Sequence, residues 1–302
     1  MITSLLSLYI ASTIGTNLGT NLETPIAPTE SIVKTASFNI TNISRTPNLP
    51  LKNPYFISPI INATSSIAID VNTGAILHEE NAHARRQIAS ITKLMTSLII
   101  LEENNLEEVA TVSGNADATS GSTMSLKTGE QISLRSLLYG AIINSANDAA
   151  VTLAEHNAGS TDAFVEKMNK KAVELGLINT HFSNPIGLDH SQNYSSAYDV
   201  SKLAKVAYDD PFIRMTAQIK ELNVYSTDSG YTHSLKSTND LLDSYLKVKG
   251  LKTGKTDLAG LCLVSVAENN TGNEIITVVL NSPARFKETK ILIDWIFRAY
   301  TW

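Results

Sequence analysis

Apolar and polar positions along the chain change their period in blocks, and each block predicts an element. The run SSIAIDVNTGAILHE from Ser65 reads as two short strands around a turn at Asn72-Thr73-Gly74, since Asn and Gly tolerate the positive φ of a tight hairpin. Ser90 to Leu101 is apolar on nearly all sides, which predicts a helix buried at the centre of a domain. LRSLLYGAIINSANDAAVTLAEHNA predicts two apolar helices separated by a polar break at Ser145-Ala146-Asn147. Thr161-Asp162 opens an amphipathic helix with Phe164, Met168, Ala172 and Leu175 on one face. Leu261–Ala267 and Glu274–Leu280 are β-rich runs around the turn Asn269–Gly272, and a final amphipathic helix runs from about Ala284 to Ala299. Strands at both ends with helices between them predict an α+β domain whose terminal segments share one sheet.

Residues 1–62 have no such period. They are rich in Thr, Ser, Asn and Pro and read as a leader followed by a flexible tether, leaving 63–302 as the globular domain. Leu5–Ala11 has the apolar character of a secretory signal, but the first basic residue is Lys34, so the basic n-region is missing. The stretch is also too short to span a bilayer, which takes about 20 apolar residues. The chain stops soon after Trp295, so membrane attachment is expected only through the N-terminus.

Composition narrows the function. An apolar fraction of 43% supports a sizeable core, and a net charge of −5 argues against general nucleic-acid binding. A single cysteine, Cys262, excludes an intrachain disulfide and reads as a small buried hydrophobe. The six histidines include no pair at metal-ligand spacing and read as surface or structural groups. No metal and no cofactor is expected.

Three short motifs carry the candidate chemistry. In Ser90-x-x-Lys93, a helical i, i+3 spacing brings an ammonium to a hydroxyl. Lysine can take the serine proton only if burial and a neighbouring cation lower its pKa from about 10.4 toward about 7–8. The apolar helix supplies the burial, and Lys252 is a candidate neighbour. Ser145-x-Asn147 puts a hydroxyl and a carboxamide at a helix break, suited to proton relay and amide binding or simply to capping. Lys252-Thr253-Gly254 opens a predicted strand, where Lys and Thr can bind a carboxylate and Gly allows close approach to the strand edge. Each motif alone is weak. Their joint occurrence in this order matches the set found in class A β-lactamases and penicillin-binding proteins.

At these residues the chain resembles the serine-type D-alanyl-D-alanine carboxypeptidases, the low-molecular-weight, penicillin-binding protein 5-like group. The likeness extends through ASITKLMT (Ala89–Thr96), INSANDAA (Ile143–Ala150), MNKKAVELGLINTHFSNPIGLD (Met168–Asp189), YSSAYDVSKLA (Tyr194–Ala204), GLKTGKTDLAG (Gly250–Gly260) and RFKETKILIDW (Arg285–Trp295). It implies a β-lactamase/transpeptidase-like fold, an antiparallel sheet flanked by helices with a mainly helical subdomain. It further implies removal of the terminal D-Ala from peptidoglycan stem peptides outside the cytoplasm, with β-lactams as covalent inhibitors. Carried over, Ser90 is the nucleophile, Lys93 the acylation base and Ser145 the proton shuttle. Asn147 binds the substrate amide, Lys252 raises the local potential and Thr253 in its Thr253-Gly254 pair holds the terminal carboxylate. The N–H groups of Ser90 and Lys255 form the oxyanion hole, and Arg285 matches an arginine near the carboxylate pocket. Lys255 stands where relatives often have His. A DD-endopeptidase, a class A-like β-lactamase and a slow-turnover penicillin sensor are the alternatives. Ala146, where the class A triplet has Asp, and the lack of a clear deacylating Glu weigh against the lactamase.

Overall fold

The computed structural model describes residues 49–228 and 230–302; the Leu5–Ala11 segment and most of the expected tether lie outside the described residues. Strand β1 (Leu51–Lys52) precedes the hairpin of β2 (Ser65–Asp70) and β3 (Ile76–Glu80). A 3-10 turn at Ala89–Thr92 runs into α1 (Lys93–Glu103). Then β4 (Val109–Thr111), α2 (Gly114–Asp117) and β5 (Gln131–Ser133) lead to α3 (Leu134–Ile143), α4 (Asn147–Ala158) and α5 (Thr161–Glu174). Next come α6 (Ala197–Asp209), α7 (Pro211–Thr216) and the hairpin of β6 (Glu221–Tyr225) and β7 (Thr232–Lys236). Finally, β8 (Lys247–Thr256), β9 (Gly260–Glu268) and β10 (Glu274–Ser282) are followed by α8 (Arg285–Ala299) and β11 (Tyr300–Thr301).

The main sheet has five strands in the order β3-β2-β10-β9-β8, all antiparallel. Its terminal segments do share one sheet, since β10 pairs with β2 through Ile276↔Ile69 and Val278↔Ile67. The central strand β10 is buried on both faces, which is why its sequence is a continuous apolar run rather than an alternating one. Ile276, Val278 and Leu280 point into the larger core with Ile67, Val264 and Leu94. Ile275 and Val279 face the other way and meet Leu292, Ile293 and Ile296 of α8. Each such fully buried side chain contributes about 1.5–3 kcal/mol. Helix α1 lies in the larger core, with Lys93 to Ile100 buried without interruption. Its all-round apolar sequence reflects that central position.

The helical lobe is delimited by caps. Ser133, Ser160 and Ser196 each accept a hydrogen bond from a first-turn N–H of α3, α5 and α6, and α4 ends at Gly159 with φ +78°. Among the described residues, no helix is long and apolar enough to cross a membrane. Residues 51–62, grouped with the tether by composition, pack on the domain: β1 pairs with β11, Ile61 is buried, and Asn62 N donates to Glu288 Oε1 at 2.6 Å. Pro and Asn break any local period there, but the backbone still finds partners at the far end of the chain.

Candidate active site

Ser90 sits in the 3-10 turn, so Ser90-x-x-Lys93 spans a change of helix type rather than one α-helical turn. Lys93 is the first residue of α1 and fully buried. Its Nζ lies 2.8 Å from Ser90 Oγ, 2.6 Å from Asn147 Oδ1 and 2.9 Å from Ile186 O. The last two partners only accept. A neutral amine therefore spends its two N–H bonds on them and points its lone pair at the Ser90 hydroxyl. Burial pushes Lys93 well below the ordinary lysine value, the charge of Lys252 pushes the same way, and Asp148 opposes both. In its neutral form Lys93 is placed where it could take a proton from Ser90.

Ser145 occupies the break between α3 and α4 with φ +59° and receives a 2.8 Å hydrogen bond from Lys252 Nζ. Lys252 is almost fully buried and lowered to about 7, by desolvation first and by Arg285 second. Lys252 lies in the interior of β8, not at its opening. Asn147 begins α4, where its Nδ2 donates to Ser120 O at 2.7 Å while its Oδ1 faces Lys93. Both ends of the carboxamide are engaged, so its first effect is to orient Lys93, with one oxygen lone pair left over.

Gly254 is needed for a reason the motif alone does not reveal. A Cβ there would lie 2.9 Å from Ile88 O, 3.0 Å from Ala89 Cβ and 3.2 Å from Ser90 N, so β8 approaches the Ser90 turn only without a side chain. Gly187, with φ +85°, plays the same part from the other side: its Cβ would fall 1.9 Å from Ala89 O. Arg285 is the first residue of α8, and its Nη1 donates to Gly254 O at 2.7 Å. Thr253 Oγ1 is 2.5 Å from Thr238 Oγ1. Lys255 is exposed at the rim. Ser90, Ser145, Asn147, Thr253, Lys255 and Arg285 line one cleft of about 190 Å³. A larger cavity of about 950 Å³ near the β9–β10 turn holds none of these groups; it is the smaller cleft that brings the sequence-predicted residues together.

Several contributors have no motif in the sequence. The Ile186 and Ser120 carbonyls act through the backbone, and Asp189 ties their surroundings to β8 by accepting from Thr256 Oγ1 at 2.5 Å and Leu258 N at 3.0 Å. Buried Asp148 accepts from Met124, Leu126 and Ala149 N–H, fixing the loop that carries Ser120 and Ser122. Away from the cleft, Cys262 is fully buried and His233 bridges Glu130 Oε1 and Met124 O inside the lobe, both structural positions.

This fold is that of the penicillin-binding DD-peptidases. The crystal structure of the Streptomyces K15 DD-transpeptidase superposes with a TM-score of 0.75 at 32% identity, covering 80% of this chain and 99% of that one. Penicillin binding protein 6B from Escherichia coli gives 0.72 at 35% identity over 81% of each chain. The chain belongs to the D-alanyl-D-alanine carboxypeptidase family, peptidase S11, whose sequence profile matches residues 54–284. Relatives include D-alanyl-D-alanine carboxypeptidase DacF of Bacillus subtilis (strain 168), 36% identical over 79% of this chain, and DacA of Escherichia coli (strain K12), 36% identical over 80%. The matched regions span 63% and 62% of those two relatives.

Proposed function

We propose that this chain is a serine-type D-Ala-D-Ala carboxypeptidase, and the observation that carries the reading is the buried Lys93 held 2.8 Å from Ser90 Oγ with its pKa depressed. Ser90 Oγ attacks the carbonyl carbon of the penultimate D-Ala and gives its proton to Lys93. The oxyanion forms between the N–H groups of Ser90 and Lys255, where loss of one such donor in other enzymes costs about 2.7–4 kcal/mol. Collapse of the tetrahedral intermediate breaks the C–N bond. The leaving amine takes a proton from Ser145, which Lys252 resupplies across its 2.8 Å hydrogen bond. The terminal carboxylate lies against Thr253 and Arg285. Lys93 then releases the Ser90 proton to water in the cleft and Lys252 takes one up, which resets both lysines. Water attacks the Ser90 ester, gives a proton to the neutral Lys93, and Lys93 returns it to Ser90 Oγ as the ester C–O bond breaks. The substrate is a peptidoglycan stem peptide, which places the protein outside the cytoplasm, and β-lactams acylate Ser90 by the same attack.

Mass spectrometry with a labelled β-lactam and a D-Ala-D-Ala peptide tests this. The expected result is a Ser90 adduct and free D-Ala, both lost in Ser90→Ala. An adduct without D-Ala release supports a sensor, rapid β-lactam hydrolysis a lactamase, cleavage only of cross-linked peptide an endopeptidase, and transfer to an amine acceptor a transpeptidase. Adduct and release surviving in Ser90→Ala would overturn the mechanism.

A further inference from the structure

Beside the Ser90 cleft, and sharing Lys255 and Arg285 with it, lies a second depression of about 410 Å³. Its floor is apolar, made by Leu261, Ala284 and Phe286, and its rim carries Lys255, Arg285 and Lys287. Arg285 is already committed: its guanidinium stacks on Phe286 and bonds Gly254 O. Lys255 and Lys287 are exposed, and among the described residues neither forms an ion pair with a carboxylate. The adjacent acid, Glu288, is turned away, with its oxygens on Asn62 N and Ser282 Oγ. Arg285 and Lys287 also occupy the first turn of α8, where the helix dipole disfavours cations. Positive charge is concentrated here against the local electrostatic preference of the helix.

The depression lies next to the free edge strand β8. A peptide extended along that edge directs alternate side chains to opposite faces of the sheet. From this we infer that the depression is a specificity subsite for the side chain preceding the D-Ala pair, and that it selects an alkyl chain ending in a carboxylate. The methylenes lie on Phe286 and Leu261, and the carboxylate sits between Lys255 and Lys287. This inference rests on the carboxypeptidase reading and names the substrate class within it.

The test uses the full chain and two peptides, acetyl-X-D-Ala-D-Ala, in which X is α-aminoadipate or its side-chain amide. The acid is expected to be favoured about fivefold in kcat/KM, the scale of an exposed ion pair, mostly through KM, and less so in high salt. Lys287→Gln should bring the ratio toward one. Lys287→Glu, which suits the helix dipole, should instead favour a peptide with lysine as X. Equal rates for acid and amide in the wild type, or a ratio unchanged by both Lys287 variants, would overturn the subsite while leaving the carboxypeptidase reading intact. D-Ala release from none of the peptides would overturn that reading itself.

Discussion

Replacing Lys252 by methionine separates what this residue does for the reaction from what it does to the fold. Its pKa is lowered from 10.5 to about 7 by desolvation and by Arg285. Between pH 7 and about 10.4 an unfolded lysine therefore holds a proton that the folded chain has released. Stability contributed by this group rises with pH through that window, and below pH 7 the full cost of the buried charge is present. At about 1.36 kcal/mol per pKa unit, the shift corresponds to a cost on the order of 5 kcal/mol. Lys252→Met keeps most of the bulk and removes the charge. The stability difference, variant minus wild type, should be most positive near pH 6 and fall by about 1.4 kcal/mol per pH unit between 7 and 10. Lys93 acts in the same direction, because it is lowered partly by the Lys252 charge and rises in the variant. Taking the difference cancels Tyr208 and Cys262, whose raised pKa values affect both proteins alike. Urea unfolding followed by the fluorescence of Trp295 and Trp302, from pH 6 to 9.5, measures it. A difference that does not change with pH would refute the buried-charge account. On the proposed mechanism the same variant should slow β-lactam acylation by at least about 10²-fold, since it removes the lysine that resupplies Ser145.

Three further outcomes follow from packing and hydrogen bonding. In Gly254→Ala, relieving the 2.9 Å contact with Ile88 O requires β8 to withdraw by about 0.5 Å, which should slow acylation roughly tenfold and cost about 1–3 kcal/mol, read by stopped-flow labelling and thermal unfolding. Asp148→Asn should lose about 2–3 kcal/mol, because one amide oxygen cannot serve three backbone N–H groups. Asp148 raises the Lys93 pKa, so the acid limb of the acylation pH profile should move to lower pH in this variant. Burial pushes the Cys262 thiol up to about 11, and it should resist thiol reagents in the native protein and react fully in urea.

Residues whose own side chains define their environment were legible in the sequence. The all-round apolar α1, the β2–β3 hairpin and the Ser145 break between α3 and α4 all stand where their patterns place them. Ser90, Lys93, Ser145, Asn147 and Lys252 meet because the order of motifs encodes a shared site. Less legible were contributions made through backbone atoms. Nothing in the local pattern around Ile186 tells that its carbonyl will bond Lys93, and Thr238 reaches Thr253 only because the chain leaving β7 runs beside β8. The purpose of Gly254 was likewise hidden. As part of a tripeptide it suggests room for a substrate, whereas in the fold it makes room for the Ser90 turn. The packing of residues 51–62 depended on partners near the other end of the chain, which composition cannot show.

The position of β10 between β2 and β9 also constrains how the molecule can be made. During synthesis the β2–β3 hairpin emerges early and the β8–β9 hairpin late, but the strand that joins them ends only at Ser282. Until then the sheet has two unconnected edges, and α8 has no complete surface on which to pack. The sheet therefore closes only once synthesis has passed Ser282, and the hairpin made first waits for the strand on which it pairs.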